Sequence, residues 1–403
     1  MSGGGGHVLR KRRASLATLS PQRERGPRVV GLFAGIGGIE LGLSRAGYRS
    51  TLLCEVQPTA RQVLREQFPE TEIWEDVRTL ERLPRGTQLV AAGFPCQDLS
   101  QAGKTAGITG RRSGLIDEVF RLLEIAPTPW VLLENVPFML HVDGGRAMTS
   151  VVSRLERLGY AWAYRVIDSR AFGLPQRRER VFLLAGRGRN PADVLLVDEA
   201  GAPEVDEHDL SRACGFYWTE GNKGLGWAWN AVPPLKGGTT LGSPTPPAIL
   251  LPGGGIVKPD IRDAERLQGF PAGWTACLPK ERQRWRLLGN AVSVPVAEWI
   301  GSRLCSPGKF EDEDRRSLGE GPWPRAAFNL GWGRRAVPLS AWPIRRRQVS
   351  LDRFLRYPPQ LLSLRATSGF YDRVRGSSLR LPPGFVERLE SHLDTMRRAE
   401  RIA

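Results

Sequence analysis

The chain has 403 residues, enough for one large domain or two of ordinary size, and its 41% hydrophobic and 25% charged content is that of a soluble globular protein. No apolar run reaches transmembrane length, and the Gly- and Arg-rich N-terminus lacks the apolar centre of a signal peptide, so no membrane association is expected. Five cysteines without a Cys-x-x-Cys pair and four histidines without ligand spacing argue against a disulfide framework and a metal centre, which makes a reducing cytoplasm the expected location.

The net charge of +16 is unevenly placed. Residues 1–28 carry seven Lys/Arg against one acid, and residues 306–403 carry nineteen against eleven, leaving 29–305 near neutral at +2. A basic excess suits a polyanionic partner, although solvated basic tails account for it equally well. Residues 1–28 have no periodicity and are expected to be a disordered basic arm. From residue 29 onward, short apolar runs alternate with amphipathic stretches. The runs are 28–33, 50–54, 88–94, 130–136, 162–168 and 180–185, and helices are expected near 39–46, 58–67, 115–125 and 147–158. This alternation predicts an α/β fold on a mostly parallel sheet. It stops after Gly186. Residues 187–261 are rich in Gly, Pro and Trp and read as a smaller, irregular, strand-poor lobe. Helical spacing returns at 262–268 and 293–304, so 262–305 is expected to complete the first domain. The extension 306–403 carries Trp323, Trp332 and Trp342 among arginines, then a helix near 384–400.

Two ends of this sheet carry chemistry. The first run leads into Phe33-Ala34-Gly35-Ile36-Gly37-Gly38 and directly into a helix, a turn whose glycines let a ligand approach the backbone. Glu55 follows twenty residues after Gly35, where a nucleotide-binding α/β fold places an acid for ribose hydroxyls, and Asp76 ends the next unit. A glycine turn alone fits a purely structural role, and the extra glycine of a dinucleotide loop is absent. The 88–94 run ends in Gly93-Phe94-Pro95-Cys96-Gln97, and the next in Glu134-Asn135-Val136-Pro137. Two runs later, Gln176-Arg177-Arg178-Glu179-Arg180 leads into a strand whose alternation sends Arg178 and Arg180 to one face. A lone cysteine at a strand end is commonly a buried structural residue. Thiol, carboxylic acid and guanidinium at neighbouring strand ends form a chemical constellation.

These motifs resemble, in order, those of the cytosine-C5 DNA methyltransferase family. FAGIGG resembles the loop for S-adenosylmethionine (AdoMet), GFPCQ the nucleophile motif, ENV the acid motif and QRRER the arginine motif. Residues 262–271 (RDAERLQGFP) resemble the segment that closes the target-recognition lobe, and Gly289-Asn290-Ala291-Val292 the last motif. The resemblance covers about 29–305. It implies a Rossmann-like AdoMet-dependent methyltransferase sheet over 29–186, a target-recognition lobe over 187–261, and a return segment over 262–305. It further implies that Phe33, the backbone of Ala34, Gly35, Ile36, Gly37 and Gly38, then Glu55, Val56, Asp76, Val77, Gly93, Pro95, Leu115, Asn290 and Val292 hold the cofactor. The family often has an aromatic residue where Val56 stands.

Transfer of methyl from AdoMet to carbon 5 of cytosine is the implied reaction. Carbon 5 is a poor nucleophile until something adds to carbon 6, and a thiolate is suited to that addition. The resemblance makes Cys96 the nucleophile and Glu134 the group at N3, with Arg180 and Arg178 orienting the base. The base must be flipped out of double-stranded DNA. Residues 97–114 are the implied mobile loop, with Gln97, Ser100, Lys104, Arg111 and Arg112 as DNA contacts; Thr240, in a Thr-Leu pair, is a further one. A bacterial or phage enzyme acting as a monomer is expected, with a cognate restriction endonuclease as a possible companion. Two rival readings stay open: a tRNA cytosine-5 methyltransferase, disfavoured by the lack of a Cys-Phe-Thr segment, and a catalytically weak DNA-binding regulator, disfavoured because Cys96 and Glu134 are both present.

Overall fold

The computed structural model describes residues 26–95, 114–206, 209–237, 245–311, 316–319 and 321–402. The first seven strands are β1 (Arg28–Leu32), β2 (Arg49–Cys54), β3 (Glu72–Trp74), β4 (Thr87–Gly93), β5 (Trp130–Asn135), β6 (Ala161–Asp168) and β7 (Glu179–Gly186). Four short ones follow in the lobe: β8 (Cys214–Phe216), β9 (Ala228–Trp229), β10 (Ala248–Leu250) and β11 (Ile256–Lys258). The C-terminal extension adds β12 (Ala326–Asn329), β13 (Arg335–Ala336) and β14 (Gln360–Leu361). The helices that position the site are α1 (Gly38–Arg45), α2 (Pro58–Gln67), α3 (Leu115–Ile125) and α4 (Arg146–Arg157).

Nine strands form one sheet in the order β13-β12-β6-β7-β5-β4-β1-β2-β3. From β3 to β5 the four pairings are parallel, and β1, β4 and β5 are apolar runs mostly buried on both faces, as the covered half of an α/β sheet requires, while β3 is a partly exposed edge. The four pairings beyond β5 are antiparallel. The expectation of a mostly parallel sheet is therefore corrected. Only ten residues, 169–178, join β6 to β7, fewer than a crossover helix needs, so β7 must reverse. The strand β12 reverses too, and each of these two lies between two neighbours.

The lobe is also more regular than its composition suggests. The strands β8–β11 form an antiparallel sheet, completed by β14 in the order β14-β11-β10-β8-β9. Its strands are two or three residues long and interrupted by Gly and Pro, too short for an alternating pattern to register in the sequence.

Further helices follow the lobe: α5 (Ala192–Leu195), α6 (Ile261–Leu267), α7 (Glu281–Asn290), α8 (Val294–Cys305), α9 (Leu351–Phe354), α10 (Leu364–Arg375) and α11 (Phe385–Ile402). One face of the large sheet is covered by α3 and α4, the other by α1, α5 and α8. The contact between α1 and α8 is close because Gly42 has no side chain; a Cβ there would stand 2.5 Å from the Val294 carbonyl oxygen.

The C-terminal extension is built into both sheets. Phe370, Phe385 and Leu389 of α10 and α11 pack on Phe216, Leu250 and Ile256 of the smaller sheet. Buried His392 accepts the Ile256 N–H at Nδ1 and donates from Nε2 to the Leu362 carbonyl, so both ring nitrogens are used. Phe385 is fully buried, with its ring centroid 5.3 Å from Phe216 and 5.2 Å from Trp227. Phe385→Ala should cost about 3–5 kcal/mol, the usual loss for a buried phenylalanine, read as a lower urea midpoint. A loss below 1 kcal/mol would mean that the extension does not support the smaller sheet.

Candidate active site

The carboxyl ends of β1, β2, β4 and β5 converge on one edge. After β1 the backbone turns through left-handed conformations at Phe33 (φ 56°), Gly35 (φ 56°) and Gly37 (φ 82°). Such a conformation is uncommon for a phenylalanine and marks a turn held by its surroundings. Glu55, just past β2, accepts the Gly35 N–H at 2.8 Å through one carboxylate oxygen and the Gln57 N–H at 2.8 Å through the other. Each oxygen keeps a lone pair for a further donor. Where Gly35 would carry a Cβ, no atom of the described residues lies within 4 Å, so the turn opens away from them. Val56 beside it is 62% exposed.

The remaining residues of this edge differ in role. Phe33 and Leu115 are partly buried against the same core cluster. Ala34 packs with Leu53 and Leu64, and Ile36 is a core residue whose carbonyl accepts the Trp274 indole N–H at 2.9 Å. Gly38 lies directly under Val292, whose carbonyl oxygen would be 2.5 Å from a Cβ. Asp76 holds Arg78 through both carboxylate oxygens and accepts the Arg78 N–H, contacts that keep its pKa below the usual value. Val77 is buried in the core, and Pro95 and Asn290 are exposed.

The acid sits where the sheet changes direction. Glu134, on β5, pairs with Gly93 on β4 and with Phe182 on β7. It is 8% exposed, and its Oε1 lies 3.2 Å from Arg180 Nε. A Cβ on Gly93 would come within 3.3 Å of Glu134 Oε2 and 4.0 Å of Val292 Cγ2, so these three residues share one site. Burial pushes the Glu134 pKa up, Arg180 and then Arg178 pull it down, and burial wins. The result is a carboxyl group that holds its proton more strongly than an exposed glutamate does.

Arg178 does something the sequence did not announce. Its side chain is 1% exposed and donates to the carbonyls of Leu235 (3.2 Å), Gly289 (3.1 Å) and Ala291 (2.7 Å). It thus stitches the middle of the lobe, at Leu235, and the 289–291 segment to the start of β7, and its charge reaches Glu134 only through space. The close packing there depends on Gly289, where a Cβ would stand 2.0 Å from the Gly237 nitrogen.

Several positioning residues escaped the sequence reading. Asn135 Nδ2 donates to the Phe94 carbonyl at 3.0 Å, fixing the chain as it leaves β4. Buried Gln176 donates to Leu267 O (2.8 Å) and accepts from Leu235 N (2.9 Å). Both stand inside the quoted motifs, so their neighbours were the available signal. Cys96, Gln97, Ser100, Lys104, Arg111, Arg112 and Thr240 lie outside the described residues.

Glu40, on α1 beside the glycine turn, is wholly buried, and burial pushes its pKa up to about 8, with nearby Glu55 adding to the rise. A raised folded-state pKa means that the folded chain holds a proton the unfolded chain has lost between about 4.5 and 8. The Glu40 contribution to stability is therefore full at low pH and is lost as pH rises through that window. Glu40→Gln carries no such proton, so its melting temperature should gain on that of the wild type between pH 5 and pH 9. A difference that stays constant with pH would contradict this.

The sequence profile of the C-5 cytosine-specific DNA methylase family matches residues 28–212 and 260–306. The type II methyltransferase M2.BsuMI of Bacillus subtilis strain 168 is 46% identical over 379 residues, covering 90% of this chain and 97% of that protein. That span cannot be reached without the C-terminal extension. The type II methyltransferase M.NgoBI of Neisseria gonorrhoeae is 30% identical over 300 residues, covering 69% of this chain and 93% of that protein. Among solved structures, the S. pombe Dnmt2 methyltransferase superposes with a TM-score of 0.51 at 19% identity, over 69% of this chain and 98% of that one, a likeness of fold. With its profile matched on both sides of the lobe and a relative aligned almost end to end, this chain belongs to the C-5 cytosine-specific DNA methylase family.

Proposed function

We propose that this chain is a DNA (cytosine-5-)-methyltransferase that acts on a flipped cytosine in a specific duplex site, in a bacterial restriction-modification setting. The observation that carries the reading is the buried Glu134, held by Arg180 at 3.2 Å beside Gly93, which in the sequence stands three residues before Cys96. In this reading residues 29–186 and 262–305 form the catalytic domain and 187–261 the target-recognition lobe, and the work is done in the cytoplasm. A cognate endonuclease would be its companion.

The cofactor edge fits AdoMet. Glu55 has an open acceptor position on each oxygen for ribose hydroxyls, Val56 offers an uncovered apolar surface to adenine, and the space above Gly35 admits the rest. Asp76 would accept from the adenine amino group while held by Arg78. When bound there, AdoMet supplies the methyl group. The chain does the remaining work. Cys96 as thiolate adds to carbon 6, and neutral Glu134 donates a hydrogen bond or its proton at N3, drawing electrons away from the ring. This leaves carbon 5 nucleophilic. Arg180 holds the Glu134 carboxyl in place and, with Arg178, raises the local positive potential that favours a thiolate. Once carbon 5 is methylated, its proton leaves, the bond from carbon 6 to sulfur breaks, and Cys96 is regenerated.

The test is expression in a host without cytosine methylation, followed by bisulfite sequencing of its DNA. Wild type should place 5-methylcytosine at one recurrent sequence, Cys96→Ser should give none, and Glu134→Gln should lower the rate by about 10²-fold or more, the scale of a lost general acid. No methylcytosine from the wild type, or unchanged methylation with Cys96→Ser, would refute the reading.

A further inference from the structure

The connection from β5 to α4 presents an aromatic ring to solvent at the same sheet end as Glu134. Phe138 is 66% exposed, while its neighbours Met139 and Leu140 are buried in the core. The turn that holds it is fixed by hydrogen bonds from Met139 N to Val136 O (3.0 Å) and from His141 N to Phe138 O (2.9 Å). Two buried anchors and a closed turn therefore keep a large apolar side chain in water, where it gains nothing for the fold. Among the described residues, Phe138 makes none of the aromatic stacking contacts that tie other rings together.

Its place says what covers it. Phe138 follows Glu134 by four residues, so the two Cα atoms are at most about 14 Å apart on the reach of an extended chain. A cytosine delivered to Glu134 leaves a duplex lying at this end of the sheet, the end at which the exposed Phe138 stands. Further along the same connection Arg146, exposed at the start of α4, offers a cation for a phosphate. The backbone between them is braced by the indole of Trp323, which donates to Gly145 O at 3.1 Å and fills the space where a Cβ on Gly145 would go.

We infer that Phe138 is a DNA-contacting residue that packs on the sugar or base face of the nucleotides flanking the flipped cytosine, an assignment that rests on the function proposed above. An aromatic face packs on any base, so Phe138 supports binding and flipping without reading sequence.

Phe138→Ala in the full chain tests this, using the duplex site found by bisulfite sequencing with 2-aminopurine at the target position. The variant should bind that duplex about tenfold more weakly, the scale of one lost base–aromatic contact. The fluorescence rise on flipping should shrink, while AdoMet affinity and melting temperature stay at the wild-type values. Phe138→Trp should restore both DNA signals. Duplex affinity and flipping that match the wild type in Phe138→Ala would overturn the inference while leaving the methyltransferase reading intact. A wild type that neither binds nor methylates duplex DNA would overturn that reading and this assignment together.

Discussion

A carboxyl group taken out of water is costly in its charged form and tolerable when it is neutral or paired. Glu134 lies on that balance, buried at the seam where the parallel half of the sheet meets the reversed strand β7, with Arg180 at 3.2 Å. The surroundings follow from keeping it there. Gly93 has no side chain, and a Cβ there would stand 3.3 Å from Glu134 Oε2, close enough to press the carboxyl aside. Asn135, next in the strand, ties down the carbonyl of Phe94 and so aims the chain that leads to Cys96. The reversal of β7 brings the arginines to the carboxyl end of β5, which a further parallel strand entering from the other end would not have done.

The same strand start organises the rest of the molecule. Arg178 collects carbonyls from Leu235 in the lobe and from Gly289 and Ala291, and Gln176 joins Leu235 to Leu267 of α6. Buried Asp263 of α6 pairs with Arg266 and accepts from the N–H groups of Arg356 and Tyr357, so the extension is tied to the return segment. Arg346 N donates to Ala171 O, and Gln348 and Leu351 bond to Asn230. The stretch 341–351 thus runs from the end of β6 to the entrance of the smaller sheet. In physical terms the extension is a brace between the two sheets as well as part of the smaller one. Its exposed Arg345, Arg346 and Arg347 account for part of the basic excess that the sequence places there.

What could be read from the sequence was whatever local order carries. Apolar runs such as Val29–Leu32 and Val131–Leu133 are buried on both faces and announce themselves as strands, and α3 and α4 show helical spacing in the same way. The β3 strand, three partly exposed residues at an edge, has no such signature. The five-stranded sheet was hidden because its strands are two or three residues long and β14 comes from about a hundred residues further along the chain. The direction of β7 was legible in principle, since ten residues between β6 and β7 leave no room for a crossover helix. At the site, residue types and order pointed to Glu134 and Arg180, but Arg178 and Arg180 looked alike in an alternating strand. Arg178 in fact precedes β7 and spends its guanidinium on backbone carbonyls, a distinction set by long-range partners at 235 and 289–291. Glu40 was invisible for the same reason: nothing beside it in the sequence tells that its helix face is buried under β1.

The central claim is that Cys96 forms a covalent bond to carbon 6 of a cytosine while Glu134 serves N3. A duplex carrying 5-fluorocytosine at the methylated position tests it most directly, because fluorine cannot leave carbon 5 as a proton does and the adduct cannot break down. Incubated with AdoMet and this duplex, the wild type should yield a denaturation-resistant protein–DNA complex, and peptide mass spectrometry should place the modification on Cys96. No complex, or one attached through another residue or surviving in Cys96→Ser, would contradict the account.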